Sequence, residues 1–178
     1  MELTHHEIWG LIHGAIFGGV FLLSFAGVFA ELWSLDAPLL TPSGLLKKLR
    51  ILRVGTWAMT VIAWAAVLTG TYIAYPWYRA KPPSDTTDFT NYPRSLLLSD
   101  ERISGWHEFG MEWKEHVAWL APILMTALLF LVLRYGPRLA TDATMRRIAT
   151  AFLVLAFFAA VVAGGFGAII TKLAPILN

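Results

Sequence analysis

Residues 103–134 read ISGWHEFGMEWKEHVAWLAPILMTALLFLVLR, and the two halves of this stretch demand different surroundings. From His116 to Leu133 no Asp, Glu, Lys or Arg occurs, so that half suits hydrocarbon. The half before it loads His107, His116, Glu108, Glu112 and Glu115 onto the helix leading in. At about 100° per residue the three glutamates fall within roughly 80° of one another, and His116 lies about 40° beyond Glu112. His107 falls nearly opposite His116. If His116 faces into a bundle, His107 is therefore expected to face away, towards water, headgroups or a neighbouring protein. An ionisable side chain held at a membrane boundary is costly and marks a candidate site. An ordinary solvated helix end is the simpler reading of the glutamates.

Working outward, three further stretches lack charged residues: 8–30, 54–78 and 148–171. Each of the four is about 18–25 residues, close to the roughly 20 that a helix needs to cross about 30 Å of hydrocarbon. The chain of 178 residues is 57% hydrophobic, and its mean hydropathy is +0.60, beyond an average soluble domain. Barrel-type alternation is absent, so the spans read as helices. The expected fold is all-α: one integral-membrane four-helix bundle, up-down-up-down, with helices at about 6–31, 53–76, 102–134 and 145–172 and an outer loop at 77–101.

Alternation puts the N-terminus, the loop 79–115 and the C-terminus on one side, and the connections 31–53 and 134–147 on the other. The second side carries Lys47, Lys48, Arg50, Arg53, Arg134, Arg138, Arg146 and Arg147 against only Glu31, Asp36 and Asp142. The first carries six basic residues against nine acids. The positive-inside rule makes the basic side cytoplasmic and both termini periplasmic, in a bacterial inner membrane. The first apolar run is full spanning length and lacks a basic leader, so no cleavable signal peptide is expected. The chain has no Cys, which removes disulfides, thiolate metal sites and covalent haem attachment.

Along the chain, Thr4 with Glu7 forms a capping-box pattern. Gly10, Gly14 and Gly18 then repeat at four-residue spacing, small residues that admit a neighbouring helix or the face of a flat macrocycle. His6 and His13 share a face, about 20° apart. Residues 45–53 form a basic amphipathic lead-in suited to anionic lipid headgroups rather than nucleic acid. The second span ends in the aromatic cluster 72–78, with Pro76 expected to bend or end the helix. Asp100 is expected to cap the third helix, and Pro122 to free the carbonyl of Ala118 and kink that helix beneath His116. Gly164, Gly165 and Gly167 mark a close contact or a ligand on the fourth span.

All five histidines fall on the outer side of this topology, with His13 and His116 entering the membrane to similar depth from different helices. A b-type haem takes one imidazole on each face of its ring. Gly10 and Gly14 would line its plane, and Arg79, Arg94 or Arg102 would meet its propionates. In helix count and embedded histidines the chain resembles the small four-helix membrane cytochromes of b type. The resemblance implies an electron-transfer subunit, not a complete enzyme, with haem b held by His13 and His116 and with quinol or a periplasmic redox protein as partner. His6 and His107 are the reserve ligands. With no histidine on the cytoplasmic half, a second haem is not expected there. Two other readings compete. Glu108, Glu112, Glu115 and His116 suggest a non-haem metal or proton-relay site. Alternatively, the chain is a non-catalytic structural or docking subunit of a respiratory or photosynthetic complex, its acidic face steering basic partners.

Overall fold

A computed structural model describes residues 3–175; Glu2, counted among the outer acids, and residues 176–178 lie outside it. The described residues are helical, with no strand. Four helices are long and apolar enough to cross a membrane: α1 (His5–Trp33), α2 (Pro42–Tyr78), α4 (Trp106–Thr141) and α5 (Ala143–Leu173). A short helix, α3 (Pro93–Leu98), interrupts the loop after α2.

Local chemistry sets the starts. The Glu7 carboxylate accepts from the Thr4 backbone N–H and, at 2.8 Å, from its hydroxyl, completing the capping box of α1. Thr41 caps α2 by accepting from Gly44 N at 3.1 Å, with Pro42 in the first turn, where a missing N–H costs nothing. The basic lead-in is thus continuous with the second span, because no breaker separates Leu45 from Arg53. Likewise the connection expected at 134–147 shrinks to Asp142, whose carboxylate accepts from Met145 N at 3.0 Å to cap α5. The chain bends instead inside α4 at Tyr135 (φ −125°, ψ 18°), two residues before Pro137. At the other end of α4, Pro122 cannot donate to the Ala118 carbonyl, yet that carbonyl is not left free as expected. The Ala118 carbonyl accepts from Ala121 N at 3.2 Å, a tighter turn that breaks the regular ladder.

α4 lies along α2 and α5, and α1 along α2 and α5. The main core gathers Leu32, Leu52, Met59, Met125, Leu128, Val132 and Leu153, all buried. Polar contacts fix α2 against α4: the buried Thr60 hydroxyl is shared between the Thr56 carbonyl at 2.8 Å and the Met125 carbonyl at 3.2 Å, and Trp64 Nε1 donates to Thr126 Oγ1 at 3.0 Å. Large apolar side chains such as Leu23, Leu46 and Phe158 point outward, as lipid contact requires. A smaller cluster of Tyr78, Leu97, Met111, Ile170 and Ala174 seats α3 on the bundle.

Three turns depart from α geometry. Ile12–Gly18 in α1, Gly70–Ala74 in α2 and Trp106–Met111 in α4 are π-helical. Each carries bonds five residues apart, equivalent to one inserted residue, and such turns gather at functional sites.

α1 and α2 pack tightly where a Cβ on Gly55 would sit 3.0 Å from Val28 Cγ2, whereas one on Gly27 would meet nothing within 4 Å. Gly55→Leu is expected to cost about 1–3 kcal/mol by overpacking, read as a lower unfolding temperature in detergent. Gly27→Leu should leave that temperature unchanged.

Candidate functional site

The three π turns surround one cavity of about 800 Å³, towards the upper end of the 300–1,000 Å³ usual for small-molecule sites. The first half of α1, the last third of α2, the start of α4 and the last third of α5 supply most of its walls. Its lining is dominated by small and apolar residues, including Gly10, Gly14, Gly18, Ala163, Gly164 and Ala168. A Cβ added at Gly14 or Gly164 would meet nothing within 4 Å. Close helix packing therefore does not explain these glycines; they leave room.

His13 and His116 both line this cavity, His13 half-buried and His116 exposed, and each ring is held through Nδ1. His13 Nδ1 donates to the Ala66 carbonyl at 2.8 Å, across to α2. His116 Nδ1 donates to the Glu112 carbonyl at 2.7 Å, one turn back on α4. A carbonyl only accepts, so each bond places the proton on Nδ1 and leaves Nε2 as the lone-pair nitrogen. Among the described residues neither Nε2 has a hydrogen-bond partner. A metal-ligating histidine commonly uses this arrangement, with the second nitrogen oriented by a backbone acceptor. Gly70 makes it available to His13: a Cβ there would fall 2.6 Å from His13 Cε1.

His107 occupies a different position from the one its spacing implies. It is 5% exposed, facing the bundle rather than away from it. The π turn Trp106–Met111 supplies the reason: with one residue absorbed, His107 and His116 lie roughly 80° apart instead of roughly 180°. Both of its nitrogens are engaged. Arg94 Nε donates to Nε2 at 3.2 Å, so Nδ1 carries the proton and donates to the Tyr78 hydroxyl at 2.8 Å. That leaves no nitrogen for a ligand. His6 stacks on Trp77, centroids 4.7 Å apart and planes within 7°, on the α2-facing side of α1 that it shares with His13.

None of the three arginines expected beside the cavity lines it. Arg79 pairs with Glu112 at 2.9 Å and lies 3.9 Å from Glu115, whose other oxygen accepts from the Tyr75 hydroxyl at 2.7 Å. Arg94 is committed to His107. Arg102 is 88% exposed and pairs with Asp100 at 2.7 Å. The Arg102 side chain, and then its backbone N–H, hold the Asp100 carboxyl down at about 2. The depressed value means that this surface pair persists as pH falls until about pH 2. Asp100 thus caps the turn before α4, accepting from Arg102 N at 2.9 Å, rather than α4 itself. Glu108 is exposed, and among the described residues no three His, Cys, Asp or Glu side chains are grouped as a metal site. The basic side chain that does border the cavity, Lys114, had no signature beyond its place between Trp113 and Glu115.

Tyr78→Phe would leave the His107 Nδ1–H buried without its acceptor. The expected loss is about 1–3 kcal/mol of stability, measured as a lower unfolding midpoint in detergent, with His13 and His116 untouched.

Compared with known protein families, with curated proteins and with solved structures, the chain matches none.

Proposed function

We propose that the cavity takes one b-type haem, which His13 and His116 would hold through Nε2. On this reading the protein is an electron-transfer subunit of a bacterial inner membrane. Its helices alternate in direction, and both termini lie on the periplasmic side, where the basic connections would not be. The observation that carries the proposal is the matched pair of imidazoles on one cavity, each with Nδ1 fixed to a backbone carbonyl and Nε2 unpartnered. A haem supplies a one-electron couple when bound. The chain's own part is to orient the two rings, to give the macrocycle a slot lined by Gly10, Gly14 and Gly164, and to exclude water with the aromatic end of α2.

One haem near one face does not bridge the bilayer. Electrons would enter and leave at the periplasmic side, from quinol at the headgroup level or from a periplasmic redox protein. The acid excess on that side would steer a basic partner. Glu112 and Glu115 are occupied by Arg79 and Tyr75, which favours haem over a carboxylate-bound metal at this end.

The test is a dithionite-reduced minus air-oxidised spectrum of detergent-purified protein, with extracted haem quantified per chain. Sharp α and Soret bands at about one haem per chain are expected. His13→Ala and His116→Ala should each insert into the membrane yet lose most of the haem, while His6→Ala keeps it. Full haem retention by both of the first two variants would sink the assignment. A flat wild-type spectrum from cells supplied with haem would do so as well, leaving the chain as a structural subunit. Gly70→Ala should behave like His13→Ala, because the added Cβ takes the place of the ring.

A further inference from the structure

One lysine or arginine borders the cavity: Lys114, two residues before His116 on α4. It is half-buried, and among the described residues its ammonium makes no hydrogen bond or ion pair. The two carboxylates that share the cavity are engaged elsewhere. Glu7 is held by the Thr4 hydroxyl at 2.8 Å, and Glu115 by the Tyr75 hydroxyl at 2.7 Å with Arg79 beyond it. The opposite helix makes a seat for the ammonium. A Cβ on Gly167 would lie 2.9 Å from Lys114 Nζ, so the charge rests against bare backbone of α5. A cation at an apolar, partly dry wall is costly unless an anion meets it. Here the protein provides the cation and the room but not the anion.

We propose that Lys114 is the counter-ion for a carboxylate of the cavity's ligand, which under the haem reading above is a propionate. The inference rests on that reading and assigns the propionate contact to a residue on α4, not to Arg79, Arg94 or Arg102. A lysine acts there as a point charge with three donors, one of which reaches a carboxylate oxygen.

Reconstitution of haem-free protein with haem b and, separately, with haem b dimethyl ester tests this. Both carry the same iron and ring, and the ester has no anionic propionate. Wild type is expected to bind the free acid about ten-fold more tightly than the ester, the ratio that one charge-assisted hydrogen bond supports. Lys114→Met should cut that preference to about two-fold or less while the bis-histidine bands persist, and Lys114→Arg should restore it. If Lys114→Met does not fold, Gly167→Ala, which pushes the ammonium off its seat, should lower the preference in the same direction. Equal affinity of wild type for both porphyrins would overturn the Lys114 assignment and leave His13 and His116 standing. Full preference retained by Lys114→Met would also overturn it. Binding of neither porphyrin would overturn the haem reading itself.

Discussion

The hydrogen bond from His13 to the Ala66 carbonyl is the contact on which the cavity end of the molecule depends. In hydrocarbon an imidazole N–H without an acceptor is costly, and the carbonyl of Ala66, where α2 begins to widen into its π turn, has a lone pair to spare for it. Gly70 N–H, the Thr69 hydroxyl and the His13 ring all converge on it. α1 is thus held to α2 by a polar contact at this end, where apolar interdigitation is sparse. The other half of the bundle is closed by buried leucines and methionines, and the contrast between the two halves is what leaves an open volume at one end only.

The charged groups around that volume form a second layer. Arg79, Glu112, Glu115 and Tyr75 tie the end of α2 to the start of α4, with Tyr75 and Glu115 on the cavity wall and Arg79 and Glu112 beyond it. Their pairing is imperfect: Arg79 Nε and Glu115 Oε1 are buried without a hydrogen-bond partner, which offsets part of what the two ion pairs contribute. Since the paired side chains as a whole are also partly exposed, their net contribution to stability is small. Their clearer effect is on geometry, because they fix the turn of α4 from which Lys114 and His116 project.

Much of this was legible in the chain. Four uncharged runs gave four helices, Thr4 sits at a helix start, and the regular ladder breaks at Pro122, where its missing N–H requires. The small residues Gly10 and Gly14 and the pair His13 and His116 do meet at one cavity. What escaped the sequence was phase and pairing. Helical arithmetic at a constant angle put His107 on the wrong side, since nothing in Trp106–Met111 announces a π turn. The arginines were assigned by their side of the membrane, yet each has a partner, Glu112, His107 or Asp100, that only the fold brings close. Lys114 escaped because a lysine between a tryptophan and a glutamate reads as a solvated helix end; its isolation follows from Tyr75 and Arg79 claiming Glu115 first. The early stop expected for α4 ignored that Tyr135 can absorb Pro137 by one non-helical residue.

The three π turns also describe how such a pocket can arise. A π turn is a helix carrying one residue more than its ladder needs, the mark of a single-codon insertion accommodated without loss of the helix. Each insertion rotates everything on its far side by about 100°. Three of them at one end of one bundle swing the local side chains out of the interlocking pattern that the other end retains. Length variation within the helices, together with small residues such as Gly14 and Gly164 in the wall, is then a route from a closed helical core to a hollow one, and single-residue deletion is the corresponding route back.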